Sequence, residues 1–433
     1  MKILKLHIDQ FRHLENLDFD FTYPEDFHIE EKRGKPLDKI CFIGQSATGK
    51  TGLLELIYEH ISNILNLELI DSTYLAGLDN PIKSINGEIN LLIGNEILQL
   101  RNKEIYYNDR GYKFENKGGS VTSLIPKQDK NDIIYFKANL ISDKNINLLA
   151  KYPADLIEKH SKELQHIEDN FKYKNTYGML FDDSVRDEVW LFLLNEILNY
   201  RKNFTQKMSE LIHKGLLADT KKLSSEFQKW QKNNPNRLEA FAKKLNPILE
   251  KLNLEVDLIN TEYSIPIKNK NKDEIISIQD TSTGTKGLLL SCLPLFKLDT
   301  KDSIILIDEP ERSLYPNIQM ELIDYYQKLA PEAQFIVATH SPFIAASFEP
   351  DERFILYFDE EGKVAVRRGS SPIGDDPNDM LKNDFRVNYY NRHGEEAYQK
   401  YIKLKQEVAN ETDPKRKKEL LLETVKLGDT YNF

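Results

Sequence analysis

The sequence predicts an α/β fold, a mixed sheet with an antiparallel N-terminal lobe, interrupted by an all-helical insertion and followed by a helical C-terminal extension. Three observations carry that reading. The first is Gly44-Gln-Ser-Ala-Thr-Gly-Lys-Thr51, a complete GxxxxGKT loop between an apolar run and a helical pattern. The second is Ile304-Ile-Leu-Ile-Asp-Glu309, an apolar strand that ends in two carboxylates. The third is a change of texture between them. From about Pro153 to Asn253, glycine and β-branched runs thin out, and Leu, Lys, Glu and Gln recur at helical spacing. The chain is therefore expected to divide into two halves of one α/β unit (1–150 and 255–360), the insertion (151–254) and the extension (361–433).

The elements follow in order. Leu4, Leu6 and Ile8 alternate with Lys5, His7 and Asp9. After Phe11-Arg-His-Leu14, the residues Leu17, Phe19 and Phe21 alternate with Asp18 and Asp20. That pattern fits an antiparallel pair with one wet face. A polar stretch from Tyr23 to Asp38 leads into a buried strand, Lys39–Ile43, and then the glycine loop. The helix this loop opens carries Leu53, Leu54, Leu56 and Ile57. Between about Ser84 and Asn116, Gly87–Ile93 and Ile97–Leu100 are expected to be further antiparallel strands, and Asp132–Phe136 another. In the insertion, Leu191, Leu194 and Ile197 mark a helix face, and Asn233-Asn-Pro235 breaks the helical run. Strands return over Glu255–Ile278, at Ile304 and at Phe335–Ala338. Asp413-Pro414 reads as an N-cap with Pro at the first helical position, and Gly428 as the stop of that last helix. No internal repeat or low-complexity tract is visible.

A chain of 433 residues has room for two or three domains and a sizeable core. With a net charge of −10 its surface as a whole does not suit a polyanion, so nucleic acid would need a local basic patch. One candidate stretch runs from Lys214 to Lys251, where Lys221, Lys222, Lys243 and Lys244 stand among others with Phe227 and Trp230 interleaved. It reads equally as a phosphate-tracking face or as a solvated helix face over an aromatic core. Cys41 and Cys292 lie in apolar runs, which points to buried thiols outside any disulfide or metal pattern. The first residues form a strand pattern, not a signal peptide, and no run is long enough to cross a bilayer. A soluble, cytoplasmic protein without a membrane partner is expected.

The chemistry concentrates in four places. In the glycine loop, the backbone amides of Gly44, Gln45, Ser46, Ala47, Thr48 and Gly49 can wrap the phosphates of ATP at a helix N-terminus. Lys50 then reaches the β- and γ-phosphates, and the Thr51 hydroxyl ligates Mg²⁺. Asp308, ending an apolar strand, is placed to hold the Mg²⁺ shell, and Glu309 to polarise the attacking water. His340, in Ala338-Thr-His-Ser-Pro342 after the next strand, suits a γ-phosphate contact or an orienter of that water. Finally Asp280-Thr-Ser-Thr-Gly-Thr-Lys-Gly287 precedes an apolar helix. It reads as a second anion cradle or as plain capping by Ser282 or Thr283, and spacing alone does not separate the two.

Taken in order, the glycine loop, the Ser-x-Gly turn, the Asp-Glu-Pro strand, Ser313-Leu-x-Pro and Thr339-His-Ser-Pro resemble an ABC-type ATPase head of the SMC, RecF and OLD-like branch. This branch includes stand-alone AAA-labelled ATPases of bacterial restriction and antiphage systems. The resemblance covers Met1–Tyr58, including Phe11-Arg12, and Ile278–Phe348. It implies that Lys50 and Thr51 belong to Walker A, Asp308 and Glu309 to Walker B with Glu309 as catalytic base, Ser313 to the D-loop, and His340 to the switch. It also implies that Ser282 and Gly284 form a signature motif that touches ATP bound to another subunit, so the chain's partner is itself, as a homodimer or larger assembly. Thr283 departs from the pattern, standing where the signature's first glycine is usual. The insertion, about a hundred residues, is too short at ~1.5 Å per residue for a long folded-back coiled coil, and a compact helical domain is expected. OLD-like relatives carry a nuclease after the head, whereas this tail reads as the head's last elements and then helices. A separate effector protein such as a nuclease is therefore implied. The other readings are a RecF-type ATPase acting on DNA and a scaffold with a largely structural ATP site.

Overall fold

Alternation at the N-terminus becomes β1 (Lys2–Phe11) and β2 (Leu14–Asp20), paired antiparallel with Leu6 opposite Phe19 and Ile8 opposite Leu17. The computed structural model describes residues 1–66, 87–101, 104–107, 110–112, 133–168, 178–387, 392–431 and 433. β3 (Lys39–Gly44) leaves this lobe, and the helix α1 (Lys50–Asn66) follows its loop. The strands β4 (Glu88–Ile93), β5 (Glu96–Arg101), β6 (Glu104–Tyr107) and β7 (Arg110–Tyr112) return to the lobe and complete a six-stranded antiparallel sheet ordered β2-β1-β4-β5-β6-β7.

The second sheet carries the site. β8 (Ile133–Phe136) and β9 (Gly178–Phe181) come first, then β13 (Ile304–Asp308), β14 (Gln334–Ala338), β15 (Arg353–Phe358) and β16 (Val364–Arg368), after a small three-stranded sheet of β10 (Leu254–Val256), β11 (Ile267–Asn269) and β12 (Glu274–Ile276). Its order is β16-β15-β3-β14-β13-β8-β9, parallel throughout except for the β15–β16 hairpin. β3, β13 and β14 are apolar runs buried on both faces, as parallel strands need to be. Aromatic rings tie the two sheets together: Phe21 packs on Phe354 with centroids 5.1 Å apart, and Phe19 on Phe42 at 5.7 Å.

Three expectations change here. Ile133–Phe136 is not a further antiparallel strand; it pairs parallel to β13, with Ile133 opposite Ile304 (Asp132 lies outside the described residues). The insertion is not wholly helical, because β9 adds a parallel strand beside β8. The sheet also runs past residue 360 into β16, and the first compact unit ends at Gly374.

α2 (Asp143–Leu149) stands just ahead of the insertion, whose described residues carry α3 (Pro153–Lys159), α4 (Ser161–Gln165), α5 (Asp187–His213), α6 (Thr220–Asn233) and α7 (Arg237–Leu249). The break expected at Asn233-Asn-Pro235 separates α6 from α7. Buried Asn145 anchors this region. Its side-chain amide donates to Leu140 O (2.9 Å) and Asp182 O (2.8 Å), and its carbonyl accepts from Trp190 Nε1 (3.1 Å). Three further helices complete the unit: α8 (Thr283–Lys297), α9 (Pro316–Leu329) and α10 (Pro342–Ala345).

The second unit, Asp375–Phe433, holds α11 (Pro377–Asn383), α12 (Arg392–Asn410) and α13 (Pro414–Tyr431). Asp413 caps α13 by accepting from the Lys415 and Arg416 amides. Gly428 does not end that helix, which runs on to Tyr431 while Phe433 packs on Tyr398 and Tyr401. Both cysteines are buried free thiols. No helix among the described residues is long and apolar enough to cross a membrane.

Candidate active site

Four adjacent parallel strands, β8, β13, β14 and β3, bring the chemistry to one edge, because each ends at the same side of the sheet. Open α/β sheets bind ligands at that carboxyl edge. β3 delivers the glycine loop, β13 delivers Asp308-Glu309, β14 delivers Thr339-His340, and β8 delivers Lys137.

The loop's backbone is one that side chains would obstruct. Gly44 has φ +150° and a Cβ there would sit 2.1 Å from Leu356 O. Gly49 has φ +91° and a Cβ would meet Leu14 Cδ2 at 2.8 Å and His13 Nε2 at 3.0 Å. Ala47 is also left-handed, at φ 66°. Lys50 is buried and donates to the loop's own carbonyls, Gly44 O at 2.8 Å and Gln45 O at 3.0 Å. Burial pulls its ammonium down to about 8, against the carboxylates of Asp308, Glu309 and Glu311. This cradle, with a cation at a helix N-terminus, fits a polyphosphate.

Thr51 and Asp308 meet across the long sequence gap: Thr51 Oγ1 donates to Asp308 Oδ2 at 2.9 Å and Oδ1 at 3.2 Å. Burial pushes Asp308 up to about 6; the Thr51 hydroxyl opposes that, and Glu309, Glu311 and Glu55 reinforce it. A carboxylate under this strain, beside a hydroxyl, suits a hard cation that completes its shell with phosphate and water oxygens. Glu309 lies in a turn with φ 50°, its amide bonded to Ala338 O at 2.9 Å. His340 Nε2 lies 4.0 Å from Glu309 Oε1, and both side chains are over a third exposed. Burial and the Lys50 charge lower the His340 pKa while Glu309 opposes them, so the ring is neutral at pH 7.

The remaining expected residues form a second cluster. Ser282 caps α8, accepting from Thr285 N at 3.2 Å, so the capping reading of this turn is realised. Gly284 is pressed onto the loop after Glu309: a Cβ would lie 2.5 Å from Ser313 O and 2.8 Å from Leu314 Cδ2. Ser313 is left-handed, at φ 62°. A narrow cleft of about 50 Å³ joins the clusters, lined by Lys137, Gly284, Asp308, Glu309 and Arg312 among others.

Several neighbours were not expected from sequence. Arg12 binds Glu55 at 2.8 Å and Lys137 binds the same carboxylate at 3.1 Å, closing the β1–β2 turn over α1. Glu311 Oε1 accepts from His340 N at 2.8 Å. Only Phe11-Arg12 and the Asp-Glu-Pro-Glu wording hinted at these. The basic stretch lies mostly on α6 and α7. Phe227 and Trp230 stack on each other beside Tyr200 and Phe204, while Lys222, Lys229 and Lys243 pair with Asp219, Glu226 and Glu239.

A phosphate cradle, a buried Lys and a Thr–Asp pair at one sheet edge define a P-loop ATPase head. The chain belongs to the AAA ATPase domain family, whose profile matches residues 1–345. It is similar to a retron Vc95 probable ATPase of Vibrio cholerae, 21% identical over 78% of this chain and 73% of that protein. It also matches the Septu protein PtuA of Bacillus thuringiensis, 35% identical over 17% of this chain and 18% of that one. A protein of Methanocaldococcus jannaschii is 25% identical over 30% of this chain. The matches span about a third (36%) of the archaeal protein and under a fifth of the Septu protein. Among solved structures, an SMC head bound to the C-winged helix domain of ScpA aligns with TM-score 0.41 and 15% identity, covering 86% of this chain and 98% of that one. The SMC head domain from Thermotoga maritima aligns with TM-score 0.39 and 11% identity, over 86% and 100%.

Proposed function

We propose that the chain is a Mg²⁺-dependent switch ATPase that associates around ATP and controls a separate effector protein, such as a nuclease, in bacterial antiphage defence. The observation that supports it most is the Thr51–Asp308 hydrogen bond at 2.9 Å, beside Lys50 and within one edge of Glu309 and His340. In this reading Lys50 turns its ammonium from the Gly44 and Gln45 carbonyls to the phosphates, and the amides of Gly44–Gly49 wrap them. Thr51 and Asp308 hold Mg²⁺, which when bound neutralises charge developing on the phosphate oxygens. Glu309 accepts the proton of the attacking water, and His340, neutral, orients that water by a hydrogen bond. Ser282 and Ser313, both exposed and set side by side by buried Gly284, would meet the nucleotide of a second copy, which makes ATP the link between subunits. The setting in defence rests on the resemblance to restriction and antiphage ATPases and on the retron and Septu relatives, as an analogy of family and not of site.

Purified protein tests this directly. Lys50→Ala should abolish nucleotide binding. Glu309→Gln should bind ATP, lose turnover and shift to the associated form in light scattering. Equal turnover by wild type and Glu309→Gln would show that Glu309 is not the base, and an unchanged mass with ATP would remove the association step.

A further inference from the structure

We propose that Glu311 is a positioning residue for turnover: its carboxylate grips the His340 backbone and thereby sets the His340–Glu309 pair beside Lys50. The inference rests on the role given above to His340. Glu311 Oε1 accepts from His340 N at 2.8 Å, a contact between residues 29 apart in sequence that joins the turn after β13 to the turn after β14. The Thr339 hydroxyl lies against the same carboxylate.

Both turns are stiff and are already tied at the strand ends by Glu309 N on Ala338 O at 2.9 Å; the Glu311 bond ties them again at His340 itself. On the first, Arg312 N binds Glu309 O at 3.2 Å and Leu314 N binds Glu311 O at 2.9 Å. On the second, Thr339 is fully buried, with its amide on Phe42 O at 3.0 Å and its hydroxyl accepting from Ser341 N at 2.9 Å. Ser341 in turn caps α10 and donates to Gln319. His340 is the exposed member of an otherwise pinned run. Its backbone amide is where the Glu311 bond acts. The carboxyl of Glu311 is mostly shielded, with Oε2 inaccessible to water, which sets it apart from the exposed Glu309 as a candidate base.

Reach and charge can be separated. Glu311→Asp keeps the carboxylate and withdraws it by one methylene from His340 N. Glu311→Gln keeps an oxygen acceptor in place and removes the charge. Misplacing a reacting group by ~1 Å costs about a hundredfold in rate, so Glu311→Asp should lower kcat by tenfold or more with KM and ATP affinity little changed. Glu311→Gln should recover most of that rate. In the pair Glu311→Asp/His340→Ala, the loss should be no greater than for His340→Ala alone, because both changes act through one side chain. Glu311→Gln as slow as Glu311→Asp, or losses that multiply in the double variant, would overturn the proposal. A slow His340→Ala beside a normal Glu311→Asp would overturn it while leaving the role of His340 intact. A normal rate for His340→Ala would remove that role, and the proposal with it.

Discussion

Gly284→Ala adds one methyl group at the second residue of α8, and two opposing effects decide its outcome. On an open helix face the change stabilises by about 1 kcal/mol, since alanine is the better helix former. Here the new Cβ would sit 2.5 Å from Ser313 O, 2.8 Å from Leu314 Cδ2 and 3.1 Å from Ser313 C. Carbon atoms settle at about 3.5 Å or more, so the Leu314 contact alone demands a shift near 0.7 Å, and two of the three atoms are backbone. Overpacking of this kind costs about 1–3 kcal/mol, which cancels or reverses the helix gain. The net expectation is a loss of about 0–2 kcal/mol with a displaced Ser313 loop, and a turnover lowered by about tenfold to a hundredfold. Gly428→Ala is the control: it is also helical, and its nearest neighbour is a Tyr401 ring carbon at 3.3 Å. It should be neutral or stabilising and leave turnover alone. Urea denaturation at constant m, with steady-state ATP hydrolysis, measures both. A Gly284→Ala protein as stable and as active as wild type would refute the close approach of these two turns.

Acid should weaken the fold through His60 on α1, whose Nδ1 is buried without a partner and whose pKa burial lowers to about 4. Its folded pKa lies below the unfolded 6.5, so its contribution is complete above pH 6.5 and lost as pH falls through 4. Linkage puts the loss at about 2.5 kcal/mol by pH 4.5, and His60→Gln should flatten the urea midpoint between pH 7 and 4.5 accordingly. Asn145→Ala leaves the Leu140 and Asp182 carbonyls and the Trp190 N–H unpaired in the interior. It should cost about 2–4 kcal/mol in the same assay, whereas a loss under about 0.5 kcal/mol would mean water replaces the amide. Chelation of Mg²⁺ should stop turnover reversibly. Thr51→Val should raise the Mg²⁺ concentration for half-maximal rate about tenfold, an unchanged requirement excluding the hydroxyl as a ligand.

What the chain revealed in advance was what it encodes locally. The β1–β2 pair, the glycine loop and the Asp308 strand each announce themselves within ten residues, by alternation or by a motif whose chemistry fixes its geometry. Strand partners are a different matter. Ile133-Ile-Tyr-Phe136 shows that a strand is there, but its neighbour and direction are set by Ile304–Ile307, far along the chain. Gly178-Met-Leu-Phe181 is too short to show a period, and only the free edge of β8 makes it a strand. Gly428 misleads because the helix runs straight through it to Tyr431, with no left-handed turn at the glycine. The Glu311–His340 contact could not be read from spacing, because it exists only once two strand ends lie side by side.

The long gap between the two nucleotide motifs is bridged by more than the Thr51–Asp308 bond, and α8 shows how. Its first turn presses Gly284 on Ser313, its middle joins Ser291 to the Tyr326 hydroxyl of α9 at 2.8 Å, and Gly287 faces Ile141 beyond β8. Its last residue, Lys297, is 9% exposed and holds two insertion carboxylates, Glu196 at 2.8 Å and Glu168 at 3.2 Å. One helix of 15 residues therefore touches the Ser313 loop at one end and the insertion at the other. Pro294 lies inside it and lacks the N–H that would continue the main-chain ladder near the insertion end. A tilt of the insertion that moves Glu196 acts on Lys297 through carboxylates that are 37% and 46% exposed. α8 thus touches both the insertion and the loop that carries Ser313, while none of the site residues named above as phosphate-binding or carboxylate groups comes from the insertion.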